Sequence, residues 1–326
     1  MNVRLALTGG YLRAMFGLSA YALKRGRATH TYGVGAAGTL DVAPDTAVPD
    51  HDFFRPGRVF PVFLRHANLE FDDDATSDIR SAALKLSDQS DRSPLDIVMN
   101  TGVVSAFWST PVFLDFVRAK MRGKAGLQAY GNRYPAAFEA AVDGLRRAPE
   151  SFSTLRYHSQ ICFHFHARDG VRRYARYRLA PADGAPETGL PDIEDQLNPW
   201  NQERRNGETR AAAYLRDEFR ARIAVGPVRY RLQIQLHTAV SGESDEIFNS
   251  GARWPEDRYP WLDLAIATLD RALPPEQTER LRFNIGNQPP SLGVIHARSY
   301  DDYNSIGDLR VRVYRFAQTM RFLRYR

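Results

Sequence analysis

Residues 161–179 read ICFHFHARDGVRRYARYRL, and this stretch decides the fold class. Apolar and polar side chains alternate around Asp169-Gly170, a dipeptide typical of a tight turn between two strands. The pattern therefore predicts a β-hairpin with antiparallel strands. In its first strand, one face carries Ile161, Phe163 and Phe165, and the opposite face carries Cys162, His164 and His166.

The same alternation recurs at 58–71 and 230–237, which we predict to be further strands. Segments 41–57 and 181–207 are rich in turn-forming residues and are predicted to be long loops. Long antiparallel strands with helices gathered at one end predict an α+β protein, an antiparallel β-barrel with surrounding helices. Helical periodicity marks 110–121, 135–147, 208–223, 260–273 and 308–326.

The chain of 326 residues is predicted to be a single domain. Residues 1–26 would form a helical extension, and 27–326 a barrel core whose final helix is 308–326. No apolar run is long enough for a transmembrane helix, and the N-terminal stretch lacks the features of a signal peptide. We interpret that stretch as an amphipathic helix on the core, with a membrane anchor as the alternative.

Composition limits the class of protein. Hydrophobic residues make up 43% of the chain, which allows a sizeable core and argues against global disorder. A single cysteine excludes an internal disulfide framework and a cysteine-ligated cluster. The net charge is +6, and forty of the 44 basic residues are arginines. This bias reflects either a GC-rich genome or anion binding, and no basic run supports nucleic-acid binding.

The last predicted helix has a distinctive face. Arg310, Tyr314 and Arg321 fall within about 40° of one another, and the small Ala317 lies on the same face. One interpretation is an ordinary cationic face with an interfacial tyrosine. The other is a tyrosinate, because a nearby arginine favours the ionised phenol and a phenolate can bind ferric haem iron.

A glycine-rich segment at 27–42 reads RATHTYGVGAAGTLDV, and its glycines allow the backbone to approach a flat ligand closely. It fits neither a phosphate loop nor a dinucleotide fingerprint, which both need a strand before and a helix after. His30 in this segment is either a core histidine or a functional one. Three further segments carry candidate residues: Arg65 in 61–68, Asn100 in 95–102 and Phe113 in 113–116.

Together these segments resemble the catalase family, especially its catalase-related branch of short peroxidases and allene oxide synthase-like enzymes. The resemblance rests on the order and spacing of several motifs. Those that match are Arg27-x-x-His30, Arg65, Asp78-x-Arg80 with Ala83 and Lys85, Asp96 to Asn100, Phe113, Trp254-Pro255, Tyr259-Pro260, Arg310-x-x-x-Tyr314 and Arg321. Within the motifs at 78–85 and 96–100, three positions depart from the family pattern: Ser81 and Ala82 replace Gly-Phe, and Met99 replaces Gly.

The resemblance implies a buried haem b with ferric iron bound by Tyr314. It also implies that Arg310 keeps Tyr314 ionised and that Phe113 packs on the porphyrin. Arg27, Arg65 and Arg321 would pair with the two propionates.

On the opposite side of the haem, the resemblance implies that His30 moves a proton and that Asn100 orients a hydroperoxide. Ordinary catalases have Val where this chain has Thr29, and they commonly have Ser where it has Ala67. In the allene oxide synthase-like branch, the threonine hydroxyl hydrogen-bonds the histidine and restrains reaction with hydrogen peroxide. We therefore expect weak catalase activity.

Three functions remain open at this point. The first is a haem enzyme that transforms fatty acid or other organic hydroperoxides. The second is a haem peroxidase that uses hydrogen peroxide with organic donors, and the third is a non-catalytic haem carrier or sensor. We expect a cytoplasmic protein that binds no nucleic acid, with peripheral membrane contact and a homodimer left open. The pair His164 and His166 could bind a metal, but no third ligand is evident and we favour a solvent-facing or subunit-facing pair.

Overall fold

The structure is a computed structural model that describes Leu7, Thr8, Gly10, Arg27 and residues 29–87 and 93–324, with side chains as far as Phe316. The N-terminal extension predicted at 1–26 therefore lies almost entirely outside the described residues. So do the last two residues of the helix predicted at 308–326.

Ten strands form in the described part of the chain, and every pairing between them is antiparallel. Eight of them close into a barrel in the order β2-β1-β10-β9-β8-β6-β4-β3, because β3 also pairs with β2. The other two extend the sheet, β5 on β3 and β7 on β8. The strands are β1 Gly33–Val42, β2 Val59–Asn68, β3 Ser77–Lys85, β4 Asp96–Asn100, β5 Leu145–Arg147, β6 Tyr157–His158, β7 Phe163–His166, β8 Arg172–Pro181, β9 Val228–Thr238 and β10 Leu262–Ala272.

Helices surround this barrel. The helices Tyr214–Val225 and Pro275–Arg280 pack against β1, and the helix Thr110–Met121 packs against the helix Ser305–Arg324. No helix in the described ranges is both long and apolar enough to cross a membrane. The helices are α1 Thr110–Met121, α2 Gly123–Arg133, α3 Pro135–Gly144, α4 Ile193–Leu197, α5 Tyr214–Val225, α6 Pro275–Arg280 and α7 Ser305–Arg324, with 3-10 turns at Phe152–Thr154, Asp245–Phe248 and Pro290–Leu292. The architecture confirms the predicted α+β barrel.

The hairpin predicted from 161–179 is confirmed. Phe163 pairs with Ala175 and His166 with Arg172, so β7 and β8 are antiparallel neighbours. Gly170 takes a positive φ of 72° in the turn, a conformation that favours glycine. The Asp169 side chain accepts a hydrogen bond from the backbone N–H of Val171 at 3.0 Å and holds the turn closed.

The prediction of a helix at 260–273 is wrong, because this segment forms β10, which pairs with β1 and β9. Its apolar residues have helix-like spacing because the pairing register shifts between Asp263 and Ala265. Such a bulge adds one residue and shifts the alternation of a strand. Two other boundaries also move: the helix predicted at 135–147 ends at Gly144, before β5, and the one predicted at 208–223 begins at Tyr214.

His66 shows how the barrel interior accommodates a polar side chain. Its ring lies parallel to Phe152, with a centroid separation of 5.0 Å. His66 Nε2 lies 2.8 Å from the Tyr230 hydroxyl, and Nδ1 lies 3.1 Å from the Ser81 carbonyl oxygen. Burial lowers the pKa of His66 to about 3, so the ring is neutral. His66 is therefore a hydrogen-bonded core residue.

Candidate active site

Thr29 and His30 lie immediately before β1, at one end of the barrel. His30 has a positive φ of 55°, which is uncommon for a residue other than glycine. Its backbone N–H donates to the Leu69 carbonyl at 2.9 Å, which ties this strained residue to the end of β2. The Thr29 hydroxyl oxygen lies 3.0 Å from His30 Nδ1, so the neighbouring side chain also holds the ring.

Asn100 reaches the same place from the end of β4. The register of the barrel pairs Asn100 with Ser81 on β3. The Ser81 hydroxyl donates to Asn100 Oδ1 at 2.7 Å, and its oxygen lies 2.8 Å from His30 Nε2. The structure therefore joins Thr29, His30, Ser81 and Asn100 in one hydrogen-bonded row.

The charge environment keeps His30 neutral. Burial is the main factor that lowers its pKa to about 3, followed by the positive charges of Arg65, Arg27 and Arg310. A hydrogen bond with the Asn100 side chain acts in the opposite direction. A neutral imidazole can both hold and accept a proton, as proton transfer requires.

Two of the predicted anion-binding arginines meet at one carboxylate. Arg27 forms an ion pair with Glu279 on α6 and donates to the Leu281 carbonyl at 2.8 Å. Arg65 Nη2 lies 3.0 Å from Glu279 Oε1, and the Arg65 side chain is only 5% exposed. A Cβ on Gly33 would lie 2.5 Å from Arg65 Cζ, so the glycine gives this guanidinium its space.

The remaining candidates lie on the helices α1 and α7. Tyr314 is partly buried and packs against the barrel core, with the Arg310 guanidinium 5.9 Å from its ring centroid. Phe113 is also partly buried, and its ring lies 4.7 Å from that of Phe107. Arg321 belongs to α7, but its side chain lies outside the described residues.

Sequence reasoning missed two residues of the site. Ser81 was visible only as a departure from the family motif, and its contact with His30 depends on the pairing of β3 with its neighbours. Glu279 gave no signal, because nothing local in α6 indicates that it meets Arg27 and Arg65.

His164 and His166, the pair considered as metal ligands, are neighbours in the structure. Their ring centroids lie 4.9 Å apart on the outer strand β7. No group of three potential metal ligands exists in the part of the chain that the structure describes.

Known proteins are similar to this chain in sequence and in fold. No family model matches the chain. It is 44% identical over 302 residues to an allene oxide synthase-lipoxygenase protein of Plexaura homomalla, covering 91% of this chain and 28% of that protein. It is 24% identical over 309 residues to a catalase-related peroxidase of Mycolicibacterium paratuberculosis, covering 90% of this chain and 91% of that one. The chain belongs to the catalase-related family.

A further sequence relative and a solved structure are also similar to most of this chain. A linolenate 9R-lipoxygenase of Nostoc sp. is 34% identical over 319 residues, which cover 95% of this chain and 40% of that protein. The chain thus spans less than half the length of these two relatives, 28% of the first and 40% of the second. A bacterial catalase superposes with a TM-score of 0.69 at 19% identity, over 90% of this chain and 57% of that one, and shares the fold.

Proteins of the catalase fold are haem proteins, which supports haem as the cofactor of this catalase-related chain. The residues present fit that group. Arg65 Nε is buried and has no hydrogen-bond partner among the described residues, and haem brings carboxylates that a guanidinium can bind. Tyr314 offers a phenol oxygen beside the cation of Arg310, and Phe113 offers an apolar face.

Proposed function

We propose that the chain is a haem-dependent enzyme that transforms fatty acid or other organic hydroperoxides. Its cofactor would be haem b with ferric iron, held through Tyr314. The observation that carries this proposal is the row of hydrogen bonds through Thr29, His30 and Asn100, with His30 neutral. The relative named for allene oxide synthase supports the choice of substrate class.

Each side chain would contribute one part of the chemistry. When bound, haem supplies an iron centre able to cleave an O–O bond. Asn100 carries amide N–H groups that can orient a hydroperoxide oxygen, and His30 holds a proton at its ring beside it. Arg27 and Arg65 would bind the carboxylates of the cofactor. Together these side chains would position the substrate and manage its proton.

Two alternatives differ in substrate and in class. A peroxidase that uses hydrogen peroxide with organic donors is favoured by one observation, the similarity to a catalase-related peroxidase along nearly the whole of both chains. A haem carrier or sensor needs no proton-transfer group, so the hydrogen-bonded His30 and Asn100 argue against it.

The test compares two substrates with the purified holoprotein. Linoleic acid hydroperoxide should be consumed faster than hydrogen peroxide. Its consumption is measured by the loss of its conjugated-diene absorbance. His30→Gln should slow this reaction by about 10²–10⁴-fold, because a positioned acid–base group is lost. Asn100→Ala should also slow it while haem binding is retained. Rapid consumption of hydrogen peroxide with a phenolic donor, with the diene signal unchanged, would establish the peroxidase instead.

The same proposal includes location and assembly. We propose a cytoplasmic enzyme that contacts membranes peripherally to obtain lipid hydroperoxides and that forms a homodimer. Flotation with anionic lipid vesicles tests membrane contact, and sedimentation velocity tests the dimer.

A further inference from the structure

The Ser81 hydroxyl lies between the side chains of His30 and Asn100 in the candidate active site. Ser81 Oγ is 2.8 Å from His30 Nε2 and 2.7 Å from Asn100 Oδ1. We propose that Ser81 is a positioning residue that holds His30 in its Nε2-protonated form and thereby selects organic hydroperoxides over hydrogen peroxide. The part about substrate choice rests on the function proposed above, whereas the part about the histidine proton does not.

The hydrogen-bond partners of the Ser81 hydroxyl determine which ring nitrogen of His30 carries a hydrogen. A serine hydroxyl has one proton, and here it is donated to Asn100 Oδ1, an oxygen that can only accept. The Ser81 oxygen can therefore meet His30 Nε2 only as an acceptor, so Nε2 carries a hydrogen. Burial and nearby arginines keep the imidazole neutral, so it has no second ring proton. Nδ1 is then an acceptor, and the Thr29 hydroxyl donates to it.

The barrel holds Ser81 firmly in this position. Its backbone pairs with Ala67 on β2 and with Asn100 on β4, so neighbours on both sides fix the strand. Its carbonyl oxygen is also a partner of the buried His66. Ser81 is only 4% exposed. Its hydroxyl therefore has little freedom to leave His30 and Asn100.

The protonated Nε2 of His30 affects the reaction with hydrogen peroxide, because that reaction needs a base beside the iron. In disproportionation, two H2O2 give O2 and two H2O, and a distal base must take up peroxide protons during the cycle. An Nε2 that already carries a hydrogen has no free lone pair with which to accept a peroxide proton. A second proton could bind only at Nδ1, where Thr29 donates, and would make the ring cationic. Burial and three arginines oppose that cation. Rearrangement of an organic hydroperoxide to an epoxy alcohol is an isomerisation, so it needs no external oxidant, reductant or net proton acceptor.

The first test measures the histidine proton directly, in protein without haem. Long-range ¹H–¹⁵N correlation spectra of histidine-labelled protein distinguish the two neutral forms of His30, assigned by its loss in His30→Gln. We expect the Nε2-protonated form in the wild type and in Ser81→Thr, which keeps the hydroxyl. Ser81→Ala should lose this preference. The proposal would be overturned if His30 is protonated at Nδ1 in the wild type, or if Ser81→Ala keeps the same ring nitrogen protonated as the wild type does.

The second test uses holoprotein and compares kcat/KM for the two peroxides. Ser81→Ala should raise kcat/KM for hydrogen peroxide by about tenfold or more relative to kcat/KM for linoleic acid hydroperoxide. The reason is that His30 Nε2 becomes free to act as a base. Ser81→Thr should resemble the wild type. Ser77→Ala is the matched control, because Ser77 is a buried serine on the same strand whose hydroxyl has no hydrogen-bond partner in the described part of the chain.

The two experiments separate the two proposals. If the spectra show the expected histidine form but no peroxide is consumed, the proposed function fails and the assignment of the proton stands. If the enzyme is active on organic hydroperoxides but the ratio of kcat/KM values is unchanged in Ser81→Ala, the specificity role of Ser81 fails.

Discussion

Arg65 Nη2 donates to Glu279 Oε1 at 3.0 Å, linking a strand of the barrel to a helix more than two hundred residues further along the chain. Arg27 pairs with the same carboxylate. One negative charge thus serves two buried or nearly buried cations. The resemblance implies that both arginines bind haem propionates, and a bound haem would then share them with Glu279.

Glu279→Gln should therefore destabilise the protein without haem. The change removes the carboxylate charge beside the buried Arg65, and the loss of a charged hydrogen-bond partner by a buried group costs about 1–3 kcal/mol or more. Urea unfolding of the apoprotein measures the effect, and haem should restore part of the loss by supplying carboxylates. Glu276→Gln on the same helix is exposed and serves as the control. Equal stability of the two variants would show that Glu279 does not neutralise the arginines.

Tyr314→Phe should lose haem or change its spectrum markedly, because the phenol oxygen is removed while the ring is kept. The wild type should show a high-spin ferric spectrum after reconstitution. Tyr300→Phe is the control, since Tyr300 also packs against the core and loses the same atom. A spectrum and haem affinity unchanged in Tyr314→Phe would exclude Tyr314 as the iron ligand.

Thr29→Val should raise oxygen evolution from hydrogen peroxide several-fold. The Thr29 hydroxyl holds His30 Nδ1 at 3.0 Å, and valine has the same shape without the hydrogen bond. Thr29→Ser keeps the hydroxyl and should behave like the wild type. Oxygen electrode measurements decide the matter, and vigorous oxygen evolution by the wild type itself would contradict the restraint.

The free energy of unfolding should fall as the pH drops from about 6.5 towards 3. Burial lowers the pKa of His66 to about 3, whereas the unfolded chain has the ordinary value. Between these values the unfolded state binds the extra proton, so acid favours unfolding, and above pH 6.5 the stability from this group is complete. One such histidine changes the free energy by at most about 1.4 kcal/mol per pH unit.

His66→Gln should reduce this dependence on pH, measured by urea midpoints between pH 4 and 7. The same slope in His66→Gln and wild type would assign the acid sensitivity to other groups.

Local patterns in the sequence were sufficient for several elements. Helix α1 has the predicted bounds, Thr110–Met121, because its apolar residues repeat with one period and Pro111 starts the first turn. The β7–β8 hairpin formed as predicted because alternation and an Asp-Gly turn are both local signals. Motif order also indicated Thr29, His30 and Asn100, which the structure joins through hydrogen bonds.

Only the tertiary structure decided the rest. β10 has apolar spacing that also suits a helix, and its identity as a strand comes from pairing with β1 and β9 in a closed barrel. Ser81 and Glu279 entered the site through contacts between distant segments. The sequence by itself determined which elements could form and which residue types could do the chemistry, because those depend on near neighbours. The closure of the barrel decided which of these residues share protons and charge, because that depends on pairing between strands far apart in the chain.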